Sequence, residues 1–204
     1  MQSDDIENCC NVSGAAEILR NGKVAIAGLG GLGSNIAVML ARIGIGELLL
    51  VDFDKVEMSN LNRQHYSVAH LGMLKTDALK GQIEGIDPSV KVKICNVRVT
   101  EDNAADVFSG YDIVCEAFDD PRCKAMLVNA LLDGERRVVA ASGMAGFGSA
   151  NNIKTKRTFN GLYVCGDPRS PEQEGIGFMA PRVSICAGHQ ANMVLRLLLG
   201  IEEE

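Results

Sequence analysis

The chain is 204 residues long, yet it contains no tryptophan and few other aromatic residues. Aromatic side chains make up 4% of the sequence, too few for the stacking surface on which proteins bind single-stranded nucleic acid. The formal net charge is −6 at pH 7, so most of the surface repels phosphate backbones and anionic lipid. We therefore expect no nucleic-acid or membrane partner, and any anion site must be a local pocket.

Signals for export, membrane insertion and metal binding are also missing. The first ten residues, MQSDDIENCC, are acidic, and no later stretch reaches the roughly 18 apolar residues of a membrane span. None of the seven cysteines forms a Cys-x-x-Cys pair, so neither zinc nor a disulfide framework is expected. Cys95 and Cys115 lie in apolar runs, where buried, unreactive thiols are usual. These absences predict a cytoplasmic protein without zinc.

Apolar runs alternate with helical patterns along the first 142 residues. Residues 23–28 and 47–52 are predicted strands that flank a glycine cluster and an amphipathic helix, which makes a βαβ unit. The alternation continues with predicted helices at 75–86, 102–108 and 121–132 and predicted strands at 91–95, 111–118 and 136–142. This pattern predicts an α/β, Rossmann-like fold, with a mostly parallel sheet and helices on both faces.

The last third of the chain has a different pattern. Residues 143–180 are rich in turn residues and contain short alternating runs at 151–159 and 161–167, which predict a small antiparallel hairpin beside the main sheet. A final helix is predicted over 181–199. We expect one domain over 1–204, with an N-terminal arm (1–20), this hairpin and crossover region, and the C-terminal helix.

A glycine motif lies between the first strand and the first helix. Gly28, Gly30 and Gly33 fit the pattern G-x-G-x-x-G, which lets backbone N–H groups approach a phosphate at a helix N-terminus. Asp52 follows Gly33 by nineteen residues at the end of the second strand, where a carboxylate can bind a ribose. The turn and this acid predict a nucleotide site that fits NAD, FAD or ATP.

Polar residues after Asp52 favour a triphosphate. Asn60, Arg63 and Gln64 lie in the following loop, and Lys75 begins the next helix. A triphosphate carries more negative charge than the pyrophosphate of a dinucleotide, and a forked guanidinium with an added ammonium suits it. Solvated surface residues are the alternative interpretation of Arg63 and Lys75.

An acidic pair, Asp119 and Asp120, follows the predicted strand 111–118. Open α/β sheets place their ligands at this edge, and Mg²⁺ bound to phosphates needs one or two carboxylates. One aspartate can instead cap the helix that starts at Pro121. We assign the metal to Asp119.

The motifs GLGGLG, VDFD and SNLNRQ, with Gly72-x-x-Lys75 and Asp119, resemble the ThiF/MoeB family, which is related to ubiquitin-activating enzymes. The resemblance covers about residues 20–145 and is greatest to short bacterial ThiF-like proteins. It implies an adenylyltransferase that uses ATP and Mg²⁺ to activate the Gly-Gly carboxylate of a small, ubiquitin-like sulfur carrier of the ThiS type. Pyrophosphate release, thiamine-type sulfur transfer and a homodimer are implied as well.

The resemblance also assigns roles to individual residues. Arg63, Lys75 and Asp119 are the implied catalytic residues, with magnesium at Asp119. The implied ATP-binding set is Gly28, Gly30, Gly31, Gly33, Asp52, Asn60, Arg63, Gln64 and Lys75.

Some positions depart from the family pattern. Leu74 stands where proline is usual, and Asp120 where asparagine is common. Many members place an arginine near position 4, which here is Asp4, and no Arg or Lys precedes Arg20. The sequence around Cys165 shows no histidine or cationic partner to activate a thiol, so we leave this cysteine outside the catalytic set.

Three other functions remain open at this stage. The same superfamily contains ATP-dependent dehydratases of a tRNA nucleoside. The acidic composition and the lack of a basic stripe make this function less favoured than adenylation. A non-catalytic subunit that docks a ubiquitin-like protein would not need phosphate and magnesium ligands. An NAD-dependent dehydrogenase fits the glycine turn and Asp52 equally well.

Overall fold

The computed structural model describes residues 14–132, 135–169 and 177–204. Within these residues, seven strands form a single sheet in the order β3-β2-β1-β4-β5-β7-β6. The strands are β1 Lys23–Ala27, β2 Glu47–Val51, β3 Lys91–Cys95, β4 Ile113–Glu116, β5 Arg137–Ala141, β6 Lys154–Phe159 and β7 Leu162–Gly166. Every neighbouring pair is parallel except β6 and β7. The predicted α/β class, with its small antiparallel extension, is confirmed.

The helices follow the predicted alternation. They are α1 Ala15–Asn21, α2 Gly31–Arg42, α3 Lys75–Ile86, α4 Glu101–Val107, α5 Pro121–Leu131 and α6 Ala180–Leu198. The ends of the predicted strands and helices lie within two residues of the observed ones, except that β6 begins three residues after the start of the predicted run 151–159. Helix α1 is not among the predicted helices, because it lies mostly in the predicted arm (1–20). No described helix has the length and apolar character needed to cross a membrane.

The predicted hairpin is β6 and β7, and its second strand also pairs in parallel with β5. The hairpin therefore continues the main sheet. Of the predicted crossover region, residues 170–176 lie outside the described residues, as do residues 1–13 of the predicted arm, including Asp4.

The sheet separates two apolar layers, and alternate strand residues serve one layer each. Val24 and Ile26 of β1 belong to the layer beneath α2, α3 and α6. Ala25 and Ala27 belong to the layer beneath α4 and α5. This alternation follows from the two-residue period of a strand, and burial on both faces explains why the inner strands read as continuous apolar runs.

The strand order also locates the site. Connections from β1 run through β2 to β3 on one side, whereas β4, β5 and β7 continue on the other. Loops after β1 and β4 therefore diverge at the carboxyl end of the sheet and leave a crevice between them. Open α/β sheets bind ligands at such a switch point.

Candidate functional site

A cavity of about 220 Å³ lies in this crevice, above the carboxyl ends of β1, β2 and β4. Most of the residues that the sequence predicted line it. These are Gly28, Gly30, Gly31, Asp52, Arg63, Gln64, Lys75 and Asp119. The fold thus brings together residues from five separate segments of the chain.

The glycine turn is shaped by close backbone contacts. Gly28 has a φ angle of +88°, and a side chain there would place its Cβ 2.9 Å from the Ala117 carbonyl oxygen. A Cβ at Gly33 would overlap the Gly28 carbonyl, so Gly33 packs α2 against the turn and does not line the cavity. Gly30, which has no side chain, is the N-cap of α2, and Gly31 is its first residue. The N–H groups of the first helical turn are therefore open to an anion in the cavity.

Asp52 ties the glycine turn to the end of β2. Its Oδ2 accepts a hydrogen bond from the Leu29 N–H at 2.7 Å, and its Oδ1 accepts one from the Asp54 N–H at 2.8 Å. Burial raises the pKa of the Asp52 carboxyl, and the charge of Lys75 opposes that rise. Tyr66, which the sequence did not single out, donates to the Leu29 carbonyl at 2.9 Å. The predicted ribose contact of Asp52 would use the remaining lone pairs and stays a prediction.

Lys75 is held by two carboxylates at the cavity wall. Its Nζ lies 2.9 Å from Asp54 Oδ2 and 3.9 Å from Asp52 Oδ2, and its side chain is 8% exposed. Asp54 is a site residue that the sequence analysis did not name, although it lies within the VDFD motif. The helix begins at Lys75 even though Leu74 stands at the N-cap. The departure from proline at position 74 does not displace the lysine from the cavity.

Arg63 and Gln64 face the cavity beside the glycine turn. The Arg63 Nη1 donates to the Ser59 carbonyl at 3.1 Å and to Asn62 Oδ1 at 2.8 Å. Its guanidinium lies 5.9 Å from the centre of the Phe178 ring. Gln64 Oε1 is buried and has no hydrogen-bond partner among the described residues. Since buried polar groups are normally paired, the Gln64 amide marks a place where a bound ligand would complete the site.

Asn60 was predicted to bind phosphate, but the structure gives its side chain another role. Its Oδ1 accepts from the Glu57 N–H at 3.1 Å, and its Nδ2 lies 3.4 Å from Ser59 Oγ. These contacts close a short 3-10 turn, Met58–Asn60, outside the cavity lining. A local backbone bond competes well for an asparagine amide, and the motif alone does not show which contact prevails.

The two aspartates after β4 have separate roles. Asp120 caps α5, because its Oδ1 accepts from the N–H groups of Arg122 at 2.8 Å and Cys123 at 3.0 Å. Those bonds hold the pKa of Asp120 below its usual value. Asp119 is exposed and lines the cavity. The capping interpretation of Asp120 is confirmed, although Asp120 also lines the cavity. The assignment of the metal to Asp119 stays a prediction.

The donor set around Asp119 is small. No group of three His, Cys, Asp or Glu side chains in the described part of the chain could hold a metal by itself. Mg²⁺, however, usually binds one or two carboxylates and takes its other ligands from substrate phosphates and water. Asp119 fits that mode of binding.

Cys165 is fully buried at the end of β7. Its Sγ lies 3.4 Å from Thr155 Oγ1, which in turn lies 3.1 Å from His189 Nδ1. The expectation that no histidine is near this cysteine is therefore wrong, since His189 is linked to it through one hydroxyl. Even so, burial raises the pKa of the Cys165 thiol to about 11. A protonated, enclosed thiol supports its place outside the catalytic set.

A buried ion pair lies beneath the cavity floor. Lys124 Nζ is 3.1 Å from Glu116 Oε2 and also donates to the Ala141 carbonyl at 3.1 Å. Burial raises the pKa of Glu116, and its bonds with Lys124 oppose that rise. The pair joins the ends of β4 and β5 to α5, and nothing in the sequence pattern indicated it.

A second buried ion pair lies behind the cavity, near the start of α6. Arg182 Nη2 is 3.1 Å from Asp167 Oδ2, and both side chains are almost inaccessible. Arg182 Nη1 also donates to the Ser149 carbonyl at 3.1 Å. The pair holds the loop after β5 and the end of β7 against α6. Their separation of 15 residues offers no sequence signal for the contact.

This cavity, with its glycine turn, three basic side chains and the exposed carboxylate of Asp119, defines a nucleotide-binding α/β domain. The chain belongs to the ThiF family, whose sequence profile matches residues 10–204, a longer stretch than the resemblance over 20–145 that the motifs indicated.

Curated relatives include the protein named adenylyltransferase and sulfurtransferase UBA4 from two yeasts. The Saccharomyces cerevisiae protein is 32% identical over 207 residues, covering 96% of this chain and 46% of that protein. The Candida glabrata protein is 32% identical over 194 residues, covering 90% of this chain and 44% of that protein. The chain thus spans about half the length of the curated relatives it matches.

Solved structures show the same fold. E. coli tRNA N6-threonylcarbamoyladenosine dehydratase, solved in complex with ATP, superposes with a TM-score of 0.88 at 22% identity, covering 98% of this chain and 97% of that one. E. coli MccB, solved with succinimide, superposes with a TM-score of 0.70 at 24% identity, covering 90% of this chain and 58% of that one.

Proposed function

We propose that this protein binds ATP in the cavity and transfers AMP to the terminal carboxylate of a small carrier protein. The observation that carries the proposal is the convergence of Arg63, Lys75 and the N–H groups at the open N-terminus of α2 on one cavity. A dinucleotide pyrophosphate would not require so many donors in one place. Membership of the ThiF family and the names of the yeast relatives support the same activity.

The reaction needs positioning more than proton transfer. A carboxylate oxygen of the carrier forms a bond to the α-phosphorus, and the bond from that phosphorus to the bridging oxygen of pyrophosphate breaks. The carboxylate is already ionised at neutral pH, so no general base is required. Consistent with this, no histidine is among the cavity-lining residues in the described part of the chain. Arg63 and Lys75 stabilise the negative charge that builds up on the departing phosphates.

Asp119 would hold Mg²⁺, which neutralises phosphate charge when it is bound.

The ion pair of Lys75 with Asp54 also affects ATP binding. Lys75 is fixed at the wall before ATP arrives, so it loses little conformational freedom when it meets phosphate. A lysine that is already in position therefore costs less entropy to align with the phosphates in the transition state.

The finer assignments are part of the same proposal. The carrier is a ubiquitin-like sulfur carrier of the ThiS type with a Gly-Gly tail, the pathway is thiamine-type sulfur transfer, and the enzyme is a cytoplasmic homodimer. The word sulfurtransferase in the relatives' name supports sulfur chemistry.

A second candidate is ATP-dependent dehydration of a modified tRNA nucleoside. The observation in its favour is the agreement in fold with the E. coli dehydratase over nearly the full length of both chains. The acidic composition of this chain opposes it, because tRNA binding usually relies on a basic surface. We therefore place it second.

Carrier-dependent exchange of labelled pyrophosphate into ATP tests the proposal directly. The protein should catalyse exchange with a carrier ending in Gly-Gly, and Asp119→Ala should lower the rate by roughly 10²–10³-fold, by analogy with the loss of one charge-stabilising group. Asp112→Ala is the matched control, because Asp112 is an exposed aspartate at the opposite end of β4 and does not line the cavity.

Two outcomes would overturn parts of the proposal. Full exchange by the Asp119→Ala variant would remove the metal assignment. Absence of exchange with any Gly-Gly carrier, together with ATP-dependent loss of water from N6-threonylcarbamoyladenosine in tRNA, would establish the second candidate instead.

A further inference from the structure

The loop between β4 and α5 forms one wall of the cavity. It contributes Ala117, Phe118, Asp119 and Asp120 to the lining. The loop also abuts the glycine turn, since a Cβ at Gly28 would lie 2.9 Å from the Ala117 carbonyl oxygen and 3.0 Å from Phe118 Cδ1. Because the Asp119 side chain is exposed, its position relative to the phosphate site depends on the path of this backbone.

Glu116 holds that backbone from outside the cavity. Its Oε1 accepts a hydrogen bond from the Phe118 N–H at 2.8 Å, one residue before Asp119. The Glu116 side chain is 1% exposed and is not part of the cavity lining. The carboxylate therefore acts on the backbone of the loop that presents Asp119, and not on a bound nucleotide.

Glu116 is itself held by two helices. Lys124 of α5 places its Nζ 3.2 Å from Oε1 and 3.1 Å from Oε2 of Glu116, and the same ammonium donates to the Ala141 carbonyl of β5 at 3.1 Å. Gln190 of α6 donates from Nε2 to the Glu116 carbonyl at 3.1 Å and to the Val139 carbonyl at 2.9 Å. Both the side chain and the backbone of Glu116 thus have fixed positions before any ligand binds.

These contacts close a ring around Asp119. The chain passes from Glu116 through Asp119 to Asp120, which caps α5. Lys124 lies one turn further along that helix, and its ammonium returns to Glu116. A buried ion pair is a poor means of stabilising a fold, because apolar residues of similar volume in its place are often neutral or stabilising. A role in holding the loop explains the position of this pair better than stability does.

We propose that Glu116 is a positioning residue for adenylation, which holds the Asp119 carboxylate in place beside the phosphate site, where it would meet Mg²⁺ bound to ATP. Carboxylates that bind metals usually depend on an outer layer of residues that orients them. Glu116 provides that support through the Phe118 N–H, while Lys124 and Gln190 keep Glu116 in place. This inference rests on the proposed function, because it requires that ATP and Mg²⁺ occupy the cavity.

Calorimetric titration of ATP in Mg²⁺, and again in EDTA, separates metal-dependent from metal-free binding without any carrier. Two double variants, both without the buried charges, give the main comparison. Glu116→Leu with Lys124→Met removes the acceptor for the Phe118 N–H, whereas Glu116→Gln with Lys124→Met retains an amide oxygen there. The variant with leucine should weaken ATP binding in Mg²⁺ by roughly 10- to 100-fold, as is typical when a metal ligand loses its support. The variant with glutamine should weaken it by less than about threefold.

Binding in EDTA is the internal reference. Both double variants should then bind ATP within about twofold of the wild type, because the glycine turn, Arg63 and Lys75 are unchanged. Urea denaturation checks that each variant is folded. Glu116→Met with Lys124→Met is a second apolar pair, whose flexible side chains fill the same space, and it should give the same result as the variant with leucine.

Combination with Asp119→Ala distinguishes positioning from general damage. If Glu116 acts through Asp119, the leucine and methionine substitutions should weaken binding by less than about twofold more once Asp119 has been replaced. Glu47→Gln is the control, because Glu47 is a buried carboxylate bound by Lys91 and Lys93 at the far end of the sheet. It should leave the ratio of ATP affinities in Mg²⁺ and EDTA unchanged.

The possible results have distinct meanings. Equal weakening by the leucine and glutamine variants, wild-type affinity of the leucine variant, or full additivity with Asp119→Ala would each overturn the positioning role. An Asp119→Ala variant with unchanged Mg²⁺-dependent binding would overturn it together with the metal assignment. A wild-type protein that binds ATP with Mg²⁺ but shows no pyrophosphate exchange with any Gly-Gly carrier would overturn the proposed function and leave the positioning of Asp119 standing.

Discussion

Two parts of the molecule hold the cavity in place by different physical means. The glycine turn is shaped by backbone contacts too close for side chains and by the hydrogen bonds of Asp52. The loop after β5 is held instead by the buried charge pair of Arg182 and Asp167. In the first region backbone contacts and hydrogen bonds to backbone N–H groups determine the structure, whereas in the second the structure depends on a pair of buried charges. This difference predicts how each region responds to mutation.

The largest effect on stability is expected at the charge pair. Arg182→Met removes one partner and leaves Asp167 buried without its countercharge, which typically costs about 3–5 kcal/mol. Chemical denaturation monitored by circular dichroism measures the loss. Arg182→Met combined with Asp167→Asn should recover part of it, because no charge then remains buried.

Arg42→Met is the matched control for that experiment. Arg42 is exposed in the last turn of α2, so its loss should change stability by less than about 1 kcal/mol. Equal destabilisation by both substitutions would show that the buried pair has no special role in holding the loop.

Lys75→Met, in the region of the glycine turn and Asp52, should reduce activity much more than stability. The variant loses a phosphate ligand, and its pyrophosphate exchange should fall by roughly 10²–10³-fold. Stability should fall by only about 1–2 kcal/mol, because Asp52 keeps both of its backbone hydrogen bonds and Asp54 is half exposed. Exchange assays and denaturation on the same preparation test both parts. Unchanged exchange would exclude Lys75 as a ligand of the reacting phosphates.

The smallest effect on activity is expected for Glu47, which begins β2 at the end of the sheet opposite the cavity. Burial raises the pKa of this carboxyl, but hydrogen bonds from Lys93, Tyr111 and Lys91 outweigh the burial and lower it from 4.5 to about 2. A lowered carboxyl pKa stabilises the folded state above pH 4.5, and that contribution is lost as the pH falls towards 2.

Glu47→Gln should therefore reduce stability by about 1–3 kcal/mol at pH 7, with the difference from the wild type shrinking below pH 4.5. Acid and urea titrations measure it. Glu84→Gln is the control, because Glu84 forms a single solvent-exposed pair with Lys80 at 3.9 Å, which should contribute little. A difference that stays constant from pH 7 to pH 2 would contradict the lowered pKa.

The site was predictable from sequence where motif and topology coincide. Arg63, Gln64, Lys75 and Asp119 line the cavity as expected, because residues that follow parallel strands meet at one edge of the sheet. Asn60 does not, since its amide is used by a local turn. Motifs place residues in the correct loop, but which way a side chain turns depends on competing hydrogen bonds nearby.

The sequence did not predict contacts between elements that are far apart in the chain. Cys165 and His189 are linked through Thr155, yet nothing in their spacing indicates it. The pairing arises because β7 and β6 lie side by side under α6. The order of strands at this end of the sheet had to be known first.

The amino-acid sequence alone determined the α/β alternation, the position of the glycine turn and eight of the residues that line the cavity. These features follow from short-range physics: apolar periodicity, the backbone freedom of glycine and the capping of helices. Only the tertiary structure decided which charges are buried together and that the Gln64 amide oxygen has no partner among the described residues. Each of these depends on elements far apart in the chain, whose proximity is a property of the packed sheet.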